Sequence, residues 1–336
     1  MAAAVVLLLL TLNFHTEISM WIRGYGKHAN PDIVAKLNQV HDRYRAKLII
    51  DNSFEVELYG DTASFMIDGL GERFFASRAN ERRAEGWRSN DTRAGAINVM
   101  EDRSNRATGG VPRGSGVGAE EPVKIHTLIV PKGGEFFITL SDGTQVFLNS
   151  NAKLTFPSRF TGDSREVQLE GEALFTVSKN GTPFNVVSRN SVTTVLGTVF
   201  NVKSCDNSDQ VTLCSGSVKV SSSPGGEERV ITPSHQATVS TAGIKVVKAD
   251  IEEIVAWTEG KFYFRNIPLE EIAAKLNDWY EVSFDFDNPG LRQVPFTGMI
   301  NRNSSLATIF ELFELSYNVK FRITDTNVVI RSGFAK

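Results

Sequence analysis

Pro131-Lys132-Gly133-Gly134-Glu135, Ile138-Thr139-Leu140-Ser141-Asp142-Gly143-Thr144 and Val146-Phe147-Leu148-Asn149 follow one another in the middle of the chain. Apolar and polar residues alternate over short runs, and each run stops at turn-forming residues. A period of two puts alternate side chains on opposite faces of a strand. Asp142-Gly143 supplies the positive φ that a tight hairpin requires. Leu169-Glu170-Gly171-Glu172-Ala173 and Val195-Leu196-Gly197-Thr198-Val199-Phe200-Asn201-Val202 continue the rhythm. Strands are therefore expected at 135–140, 145–148, 152–156, 166–170, 173–177, 184–187, 192–196, 199–202, 210–213, 217–220, 230–231, 236–239 and 244–247. No helical period interrupts them, which suits a β-solenoid or sandwich. Phe137, Phe147, Phe156 and Phe175 alternate as core residues do.

Beyond residue 257 the period changes. A strand at 261–264 leads into Asn266-Ile267-Pro268, where Pro268 opens a helix with Glu270 and Glu271 in its first turn. Leu269, Ile272, Ala273, Leu276 and Tyr280 form its apolar face. Strands are expected at 282–286 and 294–299. A second helix, capped by Asn303 or Ser304, would bury Leu306, Ile309, Phe310, Phe313 and Tyr317. A hairpin of 319–323 and 328–331 completes the order β-α-β-β-α-β-β, an α+β sandwich with both helices on one face of a small sheet.

Towards the N-terminus the signals weaken. Residues 2–14 are almost wholly apolar, yet a bilayer span needs about 20 such residues. The run also lacks the basic residues that precede a signal-peptide core. It reads as the final part of a transmembrane helix or as a signal-like segment, within a 1–20 unit. Asn30-Pro31-Asp32 starts a helix, and strands at 47–50, 54–59 and 64–67 make 21–70 a small α+β segment. Residues 71–122 are rich in Arg, Gly, Ser and Asn and read as a solvated linker.

Composition bounds the function. The 336 residues carry a net charge of −3, so there is no basic footprint for direct nucleic-acid binding. His15, His28, His41, His126 and His235 do not pair at metal-ligand spacing, and no phosphate loop or nucleophile elbow occurs. Neither a cofactor nor a metal is expected. Glu170 and Glu172 could be read as paired carboxylates, but a solvated strand end at a tight Gly171 turn accounts for them. Cys205 and Cys214 flank a turn at 206–209 without facing each other, so two free thiols are expected.

The motifs between residues 127 and 220, in that order and followed by the C-terminal α+β pattern, resemble FecR-type transmembrane anti-sigma regulators, in the form found in Bacteroidetes. The likeness spans residues 127–331. It implies a twisted, solenoid-like all-β periplasmic domain at 123–250. It also implies a domain at 257–336 similar to the short N-terminal signalling domain of secretins and TonB-dependent transducers. The chain is thus expected to be mainly β. The resemblance further implies a single inner-membrane span formed by the apolar N-terminal helix, with the bulk of the chain in the periplasm. The partners it implies are the signalling domain of a TonB-dependent outer-membrane transporter and an extracytoplasmic-function sigma factor. Val328, Val329, Ile330 and Arg331 are the candidate exposed edge for the transporter. Some relatives cleave themselves at a Gly-Thr bond, and the matching pair is Gly197-Thr198. A Thr hydroxyl can attack the preceding carbonyl of a strained peptide and form an ester that water opens. The competing reading of Gly197 is a turn between two strands. Nothing in residues 1–336 matches the cytoplasmic helical domain such regulators carry ahead of the span, so this sequence is expected to sense rather than to sequester. The rival class is an envelope-anchored or secreted β-rich module that binds glycan or peptidoglycan.

Overall fold

The computed structural model describes residues 45–59, 65–66, 72–78, 95–101, 122–222, 226–324 and 327–333. The apolar helix expected at 1–20 and the helix expected from Asn30 lie outside them. The described chain is mainly β and forms two units, 42–259 and the part from Gly260 onward.

The first unit begins with β1 (Arg45–Ile50), β2 (Phe54–Tyr59), β3 (Phe65–Met66), β4 (Glu72–Arg78) and β5 (Gly95–Glu101). It continues through β6 (Ile125–Ile129), β7 (Phe136–Thr139), β8 (Gln145–Leu148), β9 (Lys153–Pro157) and β10 (Arg165–Thr176). Next come β11 (Phe184–Val187), β12 (Val192–Val195), β13 (Val199–Ser204) and β14 (Ser208–Ser215). β15 (Val218–Ser221), β16 (Glu228–Ile231), β17 (His235–Ser240) and β18 (Gly243–Lys248) end the series. One layer runs β2-β1-β6-β9-β10-β11-β12-β15-β16, and the other β3-β4-β5-β7-β8-β10-β13-β14-β17-β18. The chain lays a hairpin in one layer and the next in the other, which is the solenoid-like winding. The inward side chains of both layers, among them Leu128, Ile138, Leu154, Val186, Phe200 and Leu213, make one core.

β10 belongs to both layers. Its first half pairs with β9 and β11, its second with β8 and β13. Two strands with a turn between them were expected; instead one strand runs through Gly171. That glycine sits at φ 86°, and a Cβ there would lie 2.8 Å from Ala152 Cα. A kink with close backbone approach is what lets one strand change layer.

Three segment boundaries move. The β1–β2 hairpin is not part of a separate α+β segment: β1 pairs with β6, and Leu48, Ile50 and Leu58 enter the main core. Within the stretch read as linker, β4 and β5 are strands, and β5 pairs in parallel with β7. The alternation of apolar side chains there is too interrupted by Arg and Asn to announce them. After β18, α1 (Ile251–Val255) and a 3-10 turn (Ala256–Glu259) fold back on the β layer rather than joining the next unit.

The second unit holds β19 (Lys261–Pro268), α2 (Leu269–Tyr280), β20 (Phe284–Phe286), a 3-10 turn (Pro289–Gln293) and β21 (Pro295–Asn301). α3 (Leu306–Ser316), β22 (Val319–Ile323) and β23 (Val328–Ser332) follow. The element order is the one expected, but the single small sheet is two: a β19–β21 ribbon and a three-stranded sheet β20-β23-β22. Ser305, not Asn303 or Ser304, caps α3, accepting from the Thr308 N–H at 3.2 Å. Both helices contribute to one core, where Ile272, Trp279, Phe310 and Phe313 meet Phe264, Phe321 and Ile330. The Arg302 guanidinium lies over the Phe262 and Trp279 rings, at 4.9 and 4.7 Å. Burial drives the Tyr280 hydroxyl pKa above its ordinary range, against the opposing charge of Arg302.

Candidate functional site

The Gly197-Thr198 bond lies where the chain crosses from β12 in one layer to β13 in the other. Leu196 beside it is 58% exposed, whereas Thr198 is buried. The Thr198 hydroxyl donates to the Ser217 carbonyl at 3.1 Å, and its own carbonyl accepts from the Val177 N–H at 3.0 Å. A carbonyl is not a general base, so the geometry holds the hydroxyl in place without activating it. A Cβ on Gly197 would collide with the Lys179 side chain, at 2.1 Å from its Cγ.

The expectation for Val328, Val329, Ile330 and Arg331 is overturned. This strand is the centre of its sheet, paired in parallel with Phe284–Phe286 and antiparallel with Val319–Ile323. Val328 and Ile330 are buried. With both backbone edges occupied, β23 cannot accept a further strand. Position at the chain terminus suggested an edge; the parallel partner β20, more than forty residues earlier, removes it.

The two carboxylates around Gly171 part company. Glu170 pairs with Lys153 at 2.8 Å on the surface, while Glu172 accepts from Asn149 and Asn201, each at 3.0 Å. They form no acid–base pair. Among the described residues no group of three or more His, Cys, Asp or Glu is placed to hold a metal.

Sequence reasoning missed two buried polar clusters. Arg165 and Asp142 form an ion pair at 2.5 Å with both side chains almost fully enclosed. Asp209 is completely buried in β14 and gathers hydroxyl and amide donors from the β11–β12 turn and the end of β13. Both read in sequence as ordinary turn residues, because their partners are distant in the chain.

It also missed the outer face of the second layer. Phe137 and Phe147 point away from the core that holds Phe136, Phe156 and Phe175. Phe147 is covered by Trp257, the rings stacked 5.2 Å apart at 13°. Val255 and Trp257 join Leu174, and Phe147, Val199 and Cys214 pack against that cluster. Cys214 thereby sits under the 251–259 strap, and burial pushes its thiol pKa up to about 11. Cys205 is exposed at the far end of the same hairpin, and the two cysteines are free. At pH 8 the thiolate of a group with pKa 11 is about a hundredfold scarcer than at a normal thiol. Iodoacetamide should therefore label Cys205 at least about tenfold faster than Cys214 in the native chain, and the two at similar rates in urea. Equal native rates by peptide mass mapping would mean that the strap does not cover Cys214.

A cleft of about 550 Å³ opens on the first layer, between Ile125 and Pro157 on one side and Arg159, Phe160 and Glu166 on the other. Of its two aromatic residues, Phe156 is buried in the core and Phe160 packs on that core and meets Phe184 edge-on, so the cleft offers no ladder of rings for a glycan.

Two family descriptions match the chain in order: FecR protein at residues 126–219, and FecR, C-terminal at residues 261–330. Among curated proteins there is no match. A 1.65 Å crystal structure of a candidate anti-sigma factor from Parabacteroides distasonis is 30% identical, with a TM-score of 0.53; the match covers 61% of this chain and 97% of that one. A 2.50 Å structure bearing the same description is 29% identical, also with a TM-score of 0.53, over 62% of this chain and 99% of that one. Two layers sharing β10, a two-helix α+β unit later in the chain and near-complete coverage of that relative lead to one conclusion: the chain belongs to the family of FecR-type anti-sigma factors.

Proposed function

We propose that the chain is the sensing part of an anti-sigma regulator in a cell-surface signalling relay. In this reading the signalling domain of a TonB-dependent outer-membrane transporter docks on the unit from Gly260 onward. The signal passes to the inner membrane, where residues 2–14 form part of the anchor, and an extracytoplasmic-function sigma factor is released. The observation that supports it most is the presence of both FecR parts, in order, on one chain. Among the described residues no helix is long and apolar enough to cross a membrane. The test is binding of the full chain to the purified signalling domains of the transporters encoded in the same genome, read by calorimetry. One domain should bind with a Kd in the micromolar range or tighter, about −8 kcal/mol. Absence of binding by all of them overturns the relay.

Self-cleavage at Gly197-Thr198 is a separable part of the proposal, and it requires the Thr198 hydroxyl to leave the Ser217 carbonyl for a base. The purified chain would then run as two fragments meeting at Thr198, and Thr198→Ala would leave it whole. A single intact mass for the wild-type chain ends this part and leaves the relay untouched.

A further inference from the structure

Strand edges expose unpaired N–H and C=O groups, and proteins guard them with charges, prolines or covering side chains. The edge strands of this chain follow that rule. β2 carries Glu55 and Glu57, β16 Glu228 and Arg229, β18 Lys245 and Lys248, β19 Lys261 and Arg265, and β20 Asp285. β22 carries Lys320 and Arg322, and the Glu314 carboxylate closes its outer side by accepting from the Phe321 N–H at 2.9 Å. Apart from the two-residue β3, one described edge has no guarding charge and carries its proline, Pro295, only at its first position. β21, Pro-Phe-Thr-Gly-Met-Ile-Asn, has no charged residue.

Its hydrogen bonds show which groups face out. Arg302 donates its N–H to the Gly260 carbonyl at 2.8 Å, and Leu269 donates to the Val294 carbonyl at 2.9 Å. With Phe262 opposite Ile300, antiparallel alternation turns the even-numbered residues of β21 toward β19 and the odd-numbered ones outward. The Thr297 N–H confirms the phase by donating outward to the Tyr317 hydroxyl at 3.1 Å. At the other end the Asn301 carbonyl accepts from the Ser304 N–H at 3.1 Å. Between these two stops lies Met299, 53% exposed, its N–H and C=O both directed away from β19. Tyr263 stands opposite Met299 on the same face of the ribbon, its ring covered by the Arg265 guanidinium at 5.3 Å, so Met299 is the apolar side chain beside the open groups.

We infer that β21 is a strand-addition site, where an extended segment of the transporter's signalling domain pairs antiparallel across Met299 with an uncharged, apolar residue facing it. Main-chain groups supply the affinity, and Met299 selects the side chain. The inference rests on the relay proposed above and moves the contact from the closed β23 to the open β21.

The experiment uses the full chain and the signalling domain that binds it. Met299→Pro removes the outward N–H, which is directed away from β19 and has no partner among the described residues, and proline is tolerated on a free edge. Met299→Lys keeps the N–H and adds the guarding charge the other edges have. Both should melt within a few degrees of wild type. Met299→Pro should weaken binding several-fold, up to about tenfold, the loss of one hydrogen bond, and Met299→Lys should weaken it less. Amide exchange at Met299 should slow on complex formation in the wild-type chain. Unchanged affinity in Met299→Pro, with no added protection at Met299, overturns the strand addition and leaves the relay standing. If no signalling domain binds the wild-type chain, the relay falls and this inference falls with it.

Discussion

Asp142→Ala is expected to lower the unfolding free energy of the β unit by about 3–5 kcal/mol, the range for removing one partner of a buried ion pair. The Arg165 guanidinium donates to the Asp142 carboxylate at 2.5 Å, to the Ser178 carbonyl at 3.0 Å and to the Thr182 carbonyl at 2.6 Å. It also lies 5.2 Å from the centre of the Phe184 ring. Asp142 takes the Thr144 N–H at 2.9 Å and the Thr144 hydroxyl at 2.7 Å, and Thr144 accepts from the Ser178 N–H at 3.2 Å. The β7–β8 turn, the loop before β11 and the start of β10 are thus fastened at one point. Without Asp142 the two carbonyls remain, but the enclosed cation has lost its counter-charge. Exposed pairs such as Lys47–Glu55 offer a contrast, because solvent screens them. Replacing both residues, as in Asp142→Ala with Arg165→Leu, should recover part of the loss, because the buried charge goes with its partner. Urea melts of the single and double variants measure this. A drop below about 1 kcal/mol in Asp142→Ala would show that the pair is solvated.

Asp209→Ala is expected to cost about 3 kcal/mol or more, for a different reason. Oδ2 accepts from the Ser188 hydroxyl at 2.6 Å, the Ser191 hydroxyl at 2.9 Å and the Asn190 N–H at 2.8 Å. Oδ1 accepts from the Ser204 hydroxyl at 2.8 Å and the Asn190 side-chain amide at 3.1 Å. These are charge-assisted bonds in a dry site, each stronger than a neutral one. The β11–β12 turn belongs to one layer and β14 to the other, so this carboxylate ties the layers together at one end. Alanine leaves several enclosed donors unmatched, and each unmatched buried group costs about 1–3 kcal/mol. Asp209→Asn keeps one accepting oxygen and should lose roughly half as much. Melts of the two variants should rank wild type, Asn, Ala. If Asn is no better than Ala, the second carboxylate oxygen carries the site.

The reading of residues 135–248 held closely because its signals are local. Alternation and turn chemistry act over a few residues, and the strands at Gln145–Leu148 and Phe184–Val187 needed nothing more. The apolar faces of α2 and α3 were legible for the same reason: Ile272, Leu276, Ile309 and Phe313 recur at helical spacing and are buried. The exchange of Phe136 for Phe137 as the core residue shows the limit of periodicity. Two adjacent phenylalanines satisfy either phase, and only the pairing of β7 with β8 settles which faces inward.

By itself, then, the sequence determined most of the element types behind residue 125, their order and the family. Each depends on residue propensities and on motifs read along the chain. Tertiary structure alone decided that β23 is central and β21 open, that Gly171 carries one strand between layers, and that Asp142 meets Arg165. Those outcomes turn on backbone pairing and burial between residues far apart in the chain, which no local pattern encodes.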